Sequence, residues 1–180
     1  MMVNDEAYFF RETARTVAVA LARQHIAHLI SGSLAVREYG YPGVPLEVDF
    51  IVPDVQQAAK CLTSDTCGHL VRVPEIQDRL QDNRNGVIID LRLAGKVLKT
   101  GCKVPFPAPT SASDRLQFIT LEELISLKLD SWANSPVRRL RDKTDVIELI
   151  ARRNLSRGLA IQTAVRQIYV ETWDALQAEK

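Results

Sequence analysis

The stretch from Leu29 to Val52 narrows the choice of folds more than any other part of this chain. It opens as Leu29-Ile-Ser-Gly-Ser-Leu-Ala-Val-Arg-Glu-Tyr-Gly40, a short apolar strand running into Gly32-Ser33 and then into a helix. Gly40-Tyr-Pro-Gly43 turns the chain. Leu46-Glu-Val-Asp-Phe-Ile-Val52 then starts as an alternating strand, with Glu47 and Asp49 on one face and Val48 and Phe50 on the other. Strand, tight turn, helix and second strand make one unit that belongs on a sheet. Small residues at a helix start let backbone approach a phosphate, and the free N–H groups there favour an anion. Residues two apart in a strand share a face at about 6.5–7 Å, so Glu47 and Asp49 can bracket a hard cation such as Mg²⁺ or Mn²⁺. Each half also has a plainer reading: a tight strand-to-helix turn, and the wet face of an edge strand.

Further along, Asp90 interrupts the apolar strand Val87–Leu93, where an acid is costly unless it faces a polar site. It is the candidate third carboxylate for phosphoryl chemistry on metal ions. The remaining pattern is α+β. Residues 6–23 carry a helical period, Ile26–Ile30 reads as a strand, and Asp54 with Gln57 opens a helix through Leu62. Leu70–Val73 reads as a strand and Glu75–Leu80 as a helical turn or two. Asp82–Gly86 turns into the Asp90 strand, with Lys96–Lys99 as a returning arm. Pro105–Ser113, with three prolines, is an extended connection. Thr120-Leu-Glu-Glu123 is a capping box for a helix through about Trp132, ended by Asn134-Ser-Pro136. Arg138–Arg152 and Leu159 to about Gln177 are two further amphipathic helices. Strands thus concentrate before residue 120, giving a core over 1–119 and a helical part over 120–180 packed on it.

The strand acids and the Gly-Ser turn, in this order, resemble the nucleotidyltransferase superfamily with the DNA polymerase β-like fold. GSLAVREYG followed by LEVDFIVPD is similar to the opening of its small bacterial members. ITLEELISLKLDSWANSPVRRLRDKTDVIELI resembles the helical segment of the AbiEii-like toxin group. The resemblance covers roughly residues 25–150. It implies a mixed sheet flanked by helices with a C-terminal helical extension. It also implies that Gly32 and Ser33 hold the triphosphate of an NTP and that Glu47 and Asp49 bind Mg²⁺ or Mn²⁺. Asp90 would complete the metal site and activate a hydroxyl, and Lys128 would reach the nucleotide. Asp145 matches the late acid of the helical segment. Read without the resemblance, Lys128 is equally a snorkelling surface lysine and Asp145 a helix-surface charge.

The chain departs from that pattern at three positions. The superfamily usually carries an Arg and a Ser or Thr just ahead of its first acid; Gly43 and Pro45 stand there, and the first acid is Glu47 rather than Asp. Losing the Arg removes a bidentate phosphate donor, for which Arg37 and Arg92 are the candidate substitutes.

Composition bounds the partners. The 180 residues carry a net charge of +1, so any electrostatic site is local. No stretch approaches the roughly 20 apolar residues of a membrane helix, and the acidic N-terminus lacks a signal-peptide layout. Three cysteines read as reduced thiols of a cytoplasmic protein; Cys61, Cys67 and His69 match no zinc spacing. His25 and His28 read as solvent-facing or hydrogen-bonded. Trp132 and Trp173 read as core or interface aromatics. Arg138, Arg139, Arg141 and Lys143 form the one basic cluster, either a hold for RNA or nucleotide phosphates or a solvated face paired with Asp142, Asp145 and Glu148. The leading expectation is transfer of an NMP from an NTP to a hydroxyl of RNA, protein or a small molecule, in a toxin-like enzyme. The second is a catalytically degenerate nucleotide-binding or protein-interaction module with a partner protein. A basic-helix RNA binder is the third.

Overall fold

The computed structural model describes residues 7–64 and 68–179; Cys67 lies outside them. Five strands form one mixed sheet in the order β1-β2-β5-β4-β3: β1 (Leu29–Ser31), β2 (Val48–Val52), β3 (Leu70–Arg72), β4 (Arg79–Asp82) and β5 (Ile88–Leu93). Only β2 and β5 run parallel; the other neighbours are antiparallel. Helices lie on both faces, so the α+β expectation of a mixed sheet flanked by helices holds.

Alternation along the central strands decides what covers each face. Val48, Phe50 and Val52 of β2, with Ile89 and Leu91 of β5, pack with α1 (Tyr8–Arg23) and α3 (Val55–Leu62). Ile51 points the other way and joins a second core with α4 (Leu121–Asn134), α5 (Leu140–Arg153) and α6 (Arg166–Ala178). Asp49 shares the face of Ile51, two residues away. β2 is buried along its whole length, so the reading of Asp49 as the wet face of an edge strand is overturned: its strand is paired on both sides. α2 (Gly32–Glu38) follows β1 directly and divides its apolar residues, Leu34 to the first core and Ala35 and Val36 to the second.

Several boundaries differ from the sequence reading. Glu75–Leu80 is not helical: turns lead into β4. Only one of the four β4 residues, Leu80, is apolar, too little for a visible period; cross-strand partners supply the ordering instead. β1 is confined to Leu29–Ser31. The last helix begins at Arg166, after a 3-10 turn at Thr163–Val165. The Gln162 N–H donates to Ser126 Oγ of α4, and the Arg166 side chain donates to the Leu159 carbonyl, so tertiary contacts hold Leu159–Gln162 outside the helix. Among the described residues the arm after β5 pairs through one antiparallel bridge, Val97 with Pro105. The capping box at Thr120 is complete, with Glu123 N–H donating to Thr120 Oγ1 and Thr120 N–H to Glu123 Oε2. His28 is buried and its Nδ1 donates to the Ile26 carbonyl, whereas His25 is exposed. Trp173 donates to the Leu155 carbonyl and packs on the second core. No helix among the described residues is long and apolar enough to cross a membrane.

Candidate functional site

Register places the acids side by side. Ser31 of β1, Asp49 of β2, Asp90 of β5 and Arg79 of β4 are successive partners across the sheet. Glu47 lies one residue ahead of β2, two from Asp49. One carboxylate oxygen from each of Glu47, Asp49 and Asp90 lies within 4.8 Å of the others; among the described residues this is the one such group of metal-ligating side chains. Gly32, at φ +68°, lets Asp49 sit against the backbone: a Cβ there would meet Asp49 Oδ2 at 2.1 Å. Ser33 Oγ donates to the Glu47 carbonyl at 3.4 Å, tying the small-residue turn to the first acid. The structure thus brings Gly32, Ser33, Glu47 and Asp49 together.

Two arginines that the motif does not include share this floor. Arg79 donates through Nε to Asp90 Oδ1 at 2.6 Å and through Nη2 to Asp90 Oδ2 at 2.8 Å. Arg92 donates through Nε to Asp49 Oδ1 at 2.9 Å and through Nη2 to Asp90 Oδ2 at 2.7 Å. Both oxygens of Asp90 are thus engaged, whereas the Glu47 carboxylate has, among the described residues, a single long ion pair of 3.9 Å with Arg79. Burial pushes the Glu47 carboxyl above its ordinary range, Asp49 and Asp90 push it further, and the arginines offset part of the rise. Burial works against the Arg92 charge, but Asp49 and Asp90 outweigh it and hold the guanidinium protonated. Three carboxylates against two guanidiniums leave the floor one negative charge.

This floor opens into a cleft of about 200 Å³ lined also by α4 and by the start of α5. Gly32, Ser33, Glu47, Asp49, Arg92 and Lys128 line it; Asp90 lies beside Asp49, outside that lining. Lys128 is buried, contrary to the snorkelling alternative, and Asp145 is buried rather than a surface charge. Lys128 Nζ donates to Asp142 Oδ1 at 2.8 Å and pairs with Asp145 Oδ2 at 2.7 Å, while Ser131 Oγ donates to Asp142 Oδ2. Burial lowers the ammonium pKa, but the two carboxylates more than reverse that. Asp142 and Asp145 are therefore spent on Lys128, and Glu148 on Arg152. The basic cluster is not the self-paired face considered above. Arg138, Arg139 and Arg141 line the cleft; Arg141 donates to the Val44 carbonyl, and Lys143 sits 3.8 Å over the Trp132 ring.

Arg92 had a sequence signal, since it lies two residues from Asp90 and so on its face. Arg79 had none, because its segment read as helix. No protein-family model matches the chain, and a comparison with curated proteins returned no match.

Proposed function

We propose that this chain is a metal-dependent phosphoryl-transfer enzyme. Within that class its best reading is a nucleotidyltransferase of the polymerase β-like fold, moving an NMP from an NTP to a hydroxyl. The observation that carries it is Asp49: a carboxylate on a central strand, in register with Asp90, seated on Gly32 and open to a cleft. The donor set suits a hard cation. Glu47, Asp49 and Asp90 would hold it, each offering a carboxylate oxygen within 4.8 Å of the other two. Glu47 and Asp49 offer the least-engaged oxygens, with Asp90 behind them.

A bound Mg²⁺ would neutralise charge developing on the phosphate and leaving oxygens. The chain's own residues do the rest. Gly32 and Ser33 set the small-residue wall against which the triphosphate lies. Lys128 could reach a phosphate by exchanging one of its two carboxylates for it. In the reaction the acceptor hydroxyl releases its proton to solvent as its oxygen bonds to the α-phosphorus, the bond from the α-phosphorus to the α,β-bridging oxygen breaks, and pyrophosphate leaves. The acceptor is a hydroxyl of RNA, protein or a small molecule, and the likeness to the toxin group makes the first two the ones to test.

A second reading is favoured by the Arg79–Asp90 pair, which occupies both oxygens of the acid that would activate the hydroxyl. It makes the chain a nucleotide-binding or protein-interaction module without transfer activity. Incubation with each labelled NTP, Mg²⁺ or Mn²⁺, and an extract of RNA and protein acceptors separates the two. Transfer that disappears in Asp49→Ala supports the enzyme; nucleotide binding with no transfer under every combination supports the module.

A further inference from the structure

We propose that Arg92 is the phosphate-gripping residue of this cleft, with Arg138 and Arg139, which line the same cleft, as further cationic contacts. The proposal rests on the nucleotide-handling reading above and names the residues that hold the anion. Three observations select Arg92. It lines the cleft, and its side chain is 27% exposed. Its Nε and Nη2 are bound to Asp49 and Asp90, while Nη1 makes no hydrogen bond among the described residues, which leaves two N–H donors for an oxyanion. The two carboxylates that hold it are themselves buried on adjacent strands, so the guanidinium is fixed before any ligand arrives. A fixed donor gives up little entropy when it binds.

The other arginines are less suited. Arg37 donates through Nη1 to the Pro42 carbonyl and does not line the cleft. Arg79 is committed to Asp90 by its fork and likewise lies outside the lining. Arg141 is turned to the Val44 carbonyl. Arg138 and Arg139 are exposed, line the cleft, and their side chains make no hydrogen bond or ion pair among the described residues. A phosphate in the cleft would have cations available from the strand floor and from the segment just ahead of α5. The arrangement also explains why an acidic floor would tolerate an anion: Arg92 and Arg79 have already cancelled two of its three charges.

Isothermal titration of the full chain with tripolyphosphate and excess Mg²⁺ tests this, with circular dichroism melts to confirm folding. Arg92→Lys keeps the charge that neutralises Asp49 and Asp90 but loses the fork, so its melting temperature should stay near that of the wild type. Its tripolyphosphate affinity should fall about tenfold or more. The exposed pair Arg138→Ala/Arg139→Ala should weaken binding several-fold without touching the floor, and it serves equally if Arg92→Lys fails to fold. Arg37→Lys should bind as the wild type does. Wild-type affinity in a folded Arg92→Lys overturns the proposal, as does wild-type affinity in the double variant where Arg92→Lys does not fold, and either result leaves nucleotidyl transfer standing. Binding that depends on Arg92, in a protein that transfers no nucleotide, upholds the proposal and removes the transferase. A wild-type protein that binds neither tripolyphosphate nor any NTP overturns both.

Discussion

Alanine at Gly32 would meet two penalties together, a left-handed backbone at φ +68° and a Cβ placed 2.1 Å from Asp49 Oδ2. The backbone alone costs about 1–2 kcal/mol for an L-residue, and relieving the clash means moving a carboxylate held by Arg92. Gly32→Ala should therefore lose roughly 2 kcal/mol or more in urea unfolding, along with its Mg²⁺ response; unchanged stability would mean the Asp49 seat is soft. Glu47 poses a charge problem instead. Its carboxyl is raised in the folded state by burial first and by its acidic neighbours second. The protonated form is thus favoured on folding. That contribution is complete below the ordinary value of 4.5 and is lost as pH rises through the raised one. In chelator, Glu47→Gln should melt above the wild type at neutral pH and level with it in acid. Mg²⁺ should close the gap by stabilising only the wild type. A variant that melts lower at neutral pH would show that ionised Glu47 stabilises the metal-free protein.

Between α4 and α5 the principal polar tie is the Lys128 ammonium, shared by Asp142 and Asp145. Removing one partner from a buried pair typically costs about 3–5 kcal/mol, because the remaining charge stays buried and unpaired. Lys128→Met should fall in that range by denaturant unfolding, and adding Asp142→Asn and Asp145→Asn should recover much of it. A loss below about 1 kcal/mol would mean water already reaches the pair. The sign with pH follows from the raised lysine: the tie is complete below its ordinary value of 10.5 and fails as pH climbs through the higher folded value. At this scale the sequence was uneven in what it revealed. Helices α1, α4 and α5 announced themselves by period and, for α4, by a cap whose hydrogen bonds need no distant partner. The Gly32-Ser33 turn and the Asp49–Asp90 pair were legible because strand alternation puts acids on a known face. β4 was not, since Arg79, Gln81 and Asp82 find their reasons elsewhere: Arg79 on Asp90, and Asp82 on Thr13 and Arg84. For the same reason Arg79 was absent from the anticipated site.

The two hydrophobic cores share the sheet, and that decides how the whole chain unfolds. α1 and α3 cover one face; α4, α5 and α6 cover the other, meeting Ala35, Val36, Ile51, Val104 and Phe106 from the earlier part of the chain. The sequence boundary at 119/120 falls where the chain is tied down on both sides. The Ile119 N–H donates to the Ile30 carbonyl, Tyr39 Oη donates to the Ile119 carbonyl, and Ile119 itself is buried in the second core. A chain ending at Ile119 would bare the Ile51 face and lose the wall of the cleft that carries Lys128 and Arg138. Each large apolar side chain uncovered there costs about 1.5–3 kcal/mol, and several at once rival the 5–15 kcal/mol that holds an ordinary domain. Residues 1–119 alone should therefore show no cooperative thermal transition and should bind a hydrophobic dye, whereas the full chain melts in one step. A sharp independent melt of the truncated chain would show that the sheet and its first helix layer form a domain of their own, with the C-terminal helices a cover that can come and go. In that event the cleft would exist only when the cover is closed, and phosphate affinity, measured by the same tripolyphosphate titration, would depend on conditions that detach α4 and α5 without unfolding the sheet.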